Sequence, residues 1–113
     1  MRFAILHHTG IPSPHFDLLI ETSPDALLLT FRLEAWPIAA PTDILRQADH
    51  RRLYLDYEGP ISNNRGHVRR VAAGECALST FTPTTVDLTL HLAPPLHLHL
   101  THREADHWRL AVG

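Results

Sequence analysis

The sequence contains no lysine and only one cysteine, Cys76, among its 113 residues. A single cysteine excludes an internal disulfide framework and a cysteine-based zinc site, and a reducing, cytoplasmic setting is the simplest expectation. No apolar stretch approaches the ~20 residues that a membrane-spanning helix needs, so we expect no association with a membrane. The first residues lack the apolar core and cleavage site of a signal peptide, and they are expected to form the first strand of the fold.

An excess of basic residues is also absent, because the chain has ten arginines and twelve acidic residues and its formal net charge is −2. Proteins that bind duplex nucleic acid usually carry a clear positive excess. The positive charge of this chain is instead local, since six of its arginines fall in the middle: Arg46, Arg51, Arg52, Arg65, Arg69 and Arg70. The planar fork of arginine matches phosphate oxygens, although a GC-rich gene also favours arginine over lysine.

Apolar and polar residues alternate with a period of two through much of the sequence, which predicts β-strands. The clearest strands are expected at Thr85–Leu92 and Leu96–Thr101. Further strands are expected at Phe3–His8, Phe16–Glu21, Ala26–Leu33, Leu53–Tyr57, His67–Ala72 and Trp108–Val112. Residues Asp43–Ala48 are expected to form a short helix with Thr42 as its N-cap. Short strands and nine prolines predict one domain, residues 1–113, folded as a small closed or nearly closed antiparallel β-barrel with one or two short helices.

Histidine is unusually frequent, with ten copies in the chain. If Phe16–Glu21 is a strand, His15 and Asp17 project from the same face, because side chains repeat every second residue. His8 ends the preceding strand, and the Thr9–Pro14 loop returns the chain beside it. Two imidazoles and a carboxylate leave coordination positions open, as a hydrolytic site requires, and they suit Mn²⁺, Zn²⁺ or Fe²⁺. On spacing alone, a chance surface cluster is the commoner outcome in a histidine-rich chain.

Two segments of the sequence resemble the 3′-phosphoesterase module of bacterial DNA ligase D. The first is His15-Phe16-Asp17-Leu18-Leu19-Ile20-Glu21, which is similar to the module's His-aromatic-Asp-aliphatic-x-Leu-Glu segment. The second runs from Asp49 to Ile61 and matches Asp-His-x-x-x-Tyr-x-x-Phe/Tyr-Glu-Gly-x-Ile without a gap. Weaker similarity extends over nearly the whole chain, and the second segment is its most specific part.

The resemblance implies a function and a role for each matching residue. His8, His15 and Asp17 would bind a catalytic Mn²⁺ or another divalent transition metal such as Zn²⁺. His50 and Tyr54 would contact the scissile phosphate. The implied reaction removes a 3′-phosphate or a 3′-terminal ribonucleotide from DNA or RNA 3′ ends at primer–template junctions. A DNA ligase or polymerase of end joining is the implied protein partner.

The sequence also departs from the family pattern. The loop between His8 and His15 is one residue longer than expected, which leaves His7 as a competing ligand. An arginine that the module often has two residues after the metal-binding aspartate is replaced by Leu19. Several phosphate-binding donors of the family are therefore missing. The nearest candidates to replace them are Arg46, Arg52 and Arg65.

Two other interpretations stay open at this point. The chain is alternatively a catalytically weak metal-binding module, or a binding partner in DNA end joining. A more distant alternative is a β-barrel that binds a ligand in a histidine-lined lumen. His97 and His99 alternate with leucines, and they are expected to face solvent or the lumen without a metal. Glu21 is expected to make a structural hydrogen bond to a loop.

Overall fold

The alternating sequence forms nine β-strands in the computed structural model, which describes residues 1–113. In chain order they are β1 Arg2–Thr9, β2 His15–Ile20, β3 Leu28–Leu33, β4 Thr42–His50, β5 Gly59–Pro60, β6 His67–Phe81, β7 Thr85–Leu90, β8 Leu96–Glu104 and β9 His107–Val112. One 3₁₀ helix, Arg52–Leu55, lies between β4 and β5. No helix combines the length and apolar character that crossing a membrane would require.

Eight of the strands close into an antiparallel barrel. Their order around the barrel is β1-β2-β3-β4-β9-β8-β7-β6, and β6 returns to pair with β1. Because β6 has 15 residues, its first part pairs with β1 and its last part pairs with β7. The short β5 adds one edge pairing to the start of β6 and takes no part in closure. The predicted closed antiparallel barrel is confirmed.

The interior of the barrel is occupied by a core of 16 buried residues. Period-two alternation explains this apolar interior, since Leu88 of β7 and Leu98 of β8 are completely buried while their neighbours face outward. His97 and His99 are exposed on the outer face of β8. Packed apolar side chains therefore fill the lumen, and the two histidines do not line it.

β1, β2 and the first part of β3 are buried on both faces. β1 sends Phe3 into the barrel and Leu6 outward into a second cluster of six buried residues. The cover over this outer cluster is the segment between β4 and β6, which contributes the buried Leu55. Burial on both faces explains the uninterrupted apolar runs Phe3–Leu6 and Leu18–Ile20.

Two local predictions are wrong. Asp43–Ala48, expected as a helix, lies within β4, where it fills the gap between β3 and β9. A weak helix preference yields here because an open gap would leave the backbone groups of both neighbouring strands without partners. Leu53–Tyr57, expected as a strand, overlaps the 3₁₀ helix instead, because the chain must turn tightly over β1 to bury Leu55.

Candidate metal centre

Three side chains of metal-ligand type meet on the outer face, at the end of β1 and the start of β2. In this antiparallel pair His8 lies opposite His15, and Leu6 lies opposite Asp17. Opposite residues share a face, and so do residues two apart along a strand. One ligand atom from each of His8, His15 and Asp17 lies within 4.8 Å of the other two. A single ion can therefore contact all three side chains.

Asp17 lies between the two imidazoles. Its Oδ1 is 3.2 Å from Nε2 of His15, and its Oδ2 is 3.9 Å from Nδ1 of His8. The residue is only 3% exposed, and these imidazoles are the only ion-pair partners of its carboxylate. A buried carboxylate is costly unless a cation or several donors compensate its charge. The surroundings of Asp17 therefore fit a bound cation.

Backbone carbonyls fix the orientation of both imidazoles. His8 donates from Nε2 to the carbonyl of Arg65 at 2.7 Å, and His15 donates from Nδ1 to the carbonyl of Ser13 at 2.9 Å. A carbonyl only accepts, so the hydrogen of each neutral ring is assigned to the bonded nitrogen. The other nitrogen keeps its lone pair and is the one near Asp17. Metal-binding histidines are typically held in this way.

The competing ligand His7 lies on the opposite face of β1. Its ring stacks on Phe16, with ring centroids 4.3 Å apart and planes 10° apart. His7 is therefore absent from the group of converging ligand atoms. Of the two neighbouring histidines, the structure brings His8 to Asp17.

An open cleft of about 570 Å³ adjoins the three ligand-type residues. His8 and Asp17 line it from the barrel wall. His50 lines it from the end of β4, and Tyr54 lines it from the covering segment. The two pairs of residues singled out from separate parts of the sequence thus share one opening.

His50, at the end of β4, and Tyr54, in the 3₁₀ helix, form an aromatic pair with ring centroids 5.9 Å apart. His50 donates from Nδ1 to the carbonyl of Ala48 at 2.9 Å, so its Nε2 is the accepting nitrogen of the neutral ring. Tyr54 reaches the cleft from the 3₁₀ helix and not from the expected strand. Leu53 is 44% exposed while Leu55 is buried, since a helix with about three residues per turn sends neighbouring side chains in different directions.

Arg52, one of the predicted phosphate-binding candidates, is engaged in the fold and does not line the cleft. Its guanidinium donates to the carbonyls of Ser23 and Ala26, at 3.0 and 2.9 Å, and also pairs with Glu21. The hydrogen bond from Arg52 lowers the pKa of Glu21. Glu21 was expected to bond to a loop; its partners are instead Arg52 of the 3₁₀ helix and the backbone N–H of Arg2 in β1, and the pair ties the end of β2 to that helix.

Two exposed arginines line the cleft. Arg65 is among the predicted candidates, and its guanidinium donates to the carbonyl of Ser62 at 2.9 Å. Arg51 was not singled out from the sequence, although it directly follows His50 in the most specific segment. Its guanidinium lies 5.8 Å from the centre of the Tyr54 ring. Neither arginine has a carboxylate partner, so both can meet an anion.

Arg46, the third predicted candidate, lies outside the cleft lining. Its guanidinium pairs with Asp49 at 2.9 Å and lies over the ring of Phe31. Asp49 itself lines the cleft. Arg46 is therefore placed to balance that carboxylate, and its charge is already partnered.

The loop that carries Arg65 comes very close to the end of β1. A Cβ on Gly66 would lie 2.1 Å from the carbonyl oxygen of Thr9, and the backbone there has a φ of +84°. Only glycine accepts both conditions. The close approach brings the Arg65 carbonyl to His8 and places the Arg65 side chain at the cleft. One loop thus orients a ligand-type residue and supplies a cation.

Comparison with known proteins assigns no family to this site. No model of a known protein family and no curated protein sequence matches the chain. The cleft and its edge combine three groups that suit a divalent ion with an imidazole, a phenol and two arginines that lack carboxylate partners.

Proposed function

We propose that this protein is a metal-dependent phosphoesterase that processes DNA or RNA 3′ ends by removing a 3′-phosphate or a 3′-terminal ribonucleotide. The observation that carries the proposal is the shared cleft, which His8 and Asp17 of the ligand group line together with His50 and Tyr54. The similarity of the segment from Asp49 to Ile61 to the 3′-phosphoesterase module of DNA ligase D supports the substrate class.

His8, His15 and Asp17 would hold the ion, with Mn²⁺ or another divalent transition metal such as Zn²⁺ as the candidates. Nitrogen and oxygen donors without sulfur suit these ions. When bound, the ion supplies Lewis acidity that polarises a phosphoryl oxygen. The buried carboxylate of Asp17 and the carbonyl-held imidazoles are the features that fit such an ion.

The other cleft residues act on the phosphate itself. Arg51 and Arg65 bind its oxygens and orient the ester, because their guanidinium forks match phosphate geometry. His50 presents Nε2 as an acceptor, so it takes a proton from the attacking water. Tyr54 donates a hydrogen bond to the leaving oxygen, on which negative charge develops as its bond to phosphorus breaks. Water in the open cleft then protonates that oxygen.

The proposal is tested on 5′-labelled primer–templates that end in a 3′-phosphate or in a single 3′-ribonucleotide, with and without Mn²⁺. We expect Mn²⁺-dependent conversion to a 3′-hydroxyl end. His50→Ala should lower the rate by about 10²–10⁴-fold, as the loss of a general base does, while Mn²⁺ affinity is retained. His91→Ala, a histidine outside the cleft lining, is the matched control and should keep the rate.

Failure of the purified wild type to cleave either substrate with Mn²⁺ would reject the enzyme. A fully active His50→Ala variant would reject only the role given to His50.

A second candidate function is a module that holds a metal and a 3′ end without cleaving it, as a partner of a DNA ligase or polymerase in end joining. The observation that favours it is the engagement of Arg46 and Arg52 by carboxylates, which leaves few donors for the phosphate. Under this candidate the wild type binds Mn²⁺ and a 3′-phosphorylated oligonucleotide but does not convert it.

A further inference from the structure

The arginines divide into two equal groups by their partners. Five pair with carboxylates: Arg2, Arg32, Arg46, Arg52 and Arg109. The other five of the ten have no carboxylate within ion-pair distance: Arg51, Arg65, Arg69, Arg70 and Arg103. Half of the positive charge is therefore balanced within the fold, and the location of the other half indicates where an anion can bind.

Two of the five arginines without carboxylate partners lie at the cleft. Arg51 and Arg65 line it. Arg69 and Arg70 follow Val68, another lining residue, at the start of β6. Arg103 lies near the end of β8 and does not line the cleft. Of the unbalanced arginines, therefore, Arg51 and Arg65 lie in the cleft, Arg69 and Arg70 lie on the strand beside it, and Arg103 lies apart from it.

The outer wall built from β7, β8 and β9 has no comparable charge. Asp87 of β7 hydrogen-bonds to His99 of β8, and Arg109 of β9 pairs with Asp43 at 2.8 Å. A duplex carries one negative charge for about every 1.7 Å of its axis, so its binding requires cations spread over a broad surface. This wall does not offer them.

We propose, granted the function proposed above, that the cleft takes the terminal nucleotides of a single-stranded 3′ end and that the duplex adds no contacts. Arg51 and Arg65 bind the phosphates of this end. The cleft volume of about 570 Å³ lies within the range of roughly 300–1,000 Å³ that encloses one small ligand. Arginine beside an aromatic ring, as in Arg51 and Tyr54, is the composition of sites that bind single strands. A paired end is then a substrate only after it frays.

The test compares two probes with the same fluorophore and the same slowly cleaved 3′-thiophosphate end, a short single strand and a blunt duplex. Binding is measured by anisotropy with Mn²⁺ at about 50 and 200 mM salt. We expect tighter binding of the single strand, and a loss of affinity of only about sevenfold between these salts, the value for two phosphate contacts on a single strand. Equal or tighter binding of the duplex overturns the proposal, and so does a loss of about 10³-fold or more, which indicates six or more contacts.

Arginine variants locate the binding surface. Arg51→Ala and Arg65→Ala should each weaken binding of the single strand and reduce the slope of log affinity against log salt by about 0.7. Arg103→Ala is the matched control, because this arginine is also exposed and without a carboxylate partner but does not line the cleft. Equal weakening by Arg103→Ala overturns the proposal, as does an absence of binding to both probes.

The proposal can fail independently of the proposed function. Mn²⁺-dependent cleavage that is faster on a paired end than on the single strand would keep the phosphoesterase and reject the single-strand preference. Absence of cleavage with the expected binding pattern would reject the enzyme and keep the preference.

Discussion

The two faces of the β1–β2 wall are made by the same strands and differ in what covers them. The inner face contributes Phe3, Ile5, Leu18 and Ile20 to the 16-residue core. The outer face is apolar at one end, with Leu6 and Leu19 beneath Leu55, and polar at the other, where the His8–His15–Asp17 group lies. Because the barrel completes its core without the outer face, that face can bury a carboxylate and still remain open to a ligand. The sheet thus separates the core residues that stabilise the fold from the side chains that suit a metal ion.

Removing one large side chain from the inner core and one from the outer cluster tests this separation. Phe31→Ala removes a fully buried inner ring that lies 5.1 Å from the ring of Trp108, and it should lower the free energy of unfolding by about 3–5 kcal/mol. Leu55→Ala should cost about 2 kcal/mol, because the thin outer cover can settle into the space left behind. Urea unfolding of both variants measures the difference. Equal losses would show that the cover is packed as firmly as the barrel.

A substitution in the Arg65 loop tests whether the outer face depends on its cover for metal binding. Gly66→Ala should weaken Mn²⁺ binding by about 10–100-fold, as loss of a partner that orients a metal-binding histidine does, because the loop must move away from Thr9 and His8. Isothermal titration measures the affinity. Gly74→Ala in β6 is the control, since Gly74 also has a positive φ, +155°, but a Cβ there would lie an ordinary 3.5 Å from Phe3. Equal loss of affinity in both variants would reject the orienting role of the loop.

A smaller effect concerns how the cover is tied to the barrel at low pH. Since Arg52 lowers the pKa of Glu21 in the folded state, their pair stabilises the fold above the ordinary carboxyl pKa of 4.5. This contribution is lost as the pH falls through the lowered folded-state pKa of Glu21. Glu21→Gln should therefore be less stable than the wild type at about pH 7, by about 1–2 kcal/mol, and the gap should narrow with acidification.

Urea unfolding at a series of pH values measures this gap. Glu104→Gln, an exposed carboxylate without an ion pair, controls for the change in net charge. A gap between wild type and Glu21→Gln that stays constant with pH would show that the pair does not contribute through its charge.

The barrel could be predicted from the sequence where one face of a strand is buried and the other exposed. Thr85–Leu90 and Leu96–Glu104 follow the alternation closely. β4 could not be predicted, since Thr42–His50 is a strand because β3 and β9 need a partner. The 3₁₀ helix Arg52–Leu55 was missed for a related reason, because packing over β1 shapes it and its own pattern does not.

The candidate site was predictable to the extent that local strand geometry positions it. His15 and Asp17 share a face by alternation, and the hairpin brings His8 opposite His15. Which arginines pair with carboxylates and which line the cleft was not predictable, because this depends on contacts between distant parts of the chain. Arg52 is engaged by Glu21, 31 residues away along the chain, while Arg51 beside it is left at the cleft.

The central claim is that the outer face binds a divalent ion through His8, His15 and Asp17, and titration of Mn²⁺ into purified protein tests it most directly. The wild type should bind a single Mn²⁺, Asp17→Asn should lose that binding, and His7→Ala should retain it because His7 lies on the opposite face of β1. Unchanged Mn²⁺ affinity in Asp17→Asn, or loss of binding in His7→Ala with retention in Asp17→Asn, would contradict the claim.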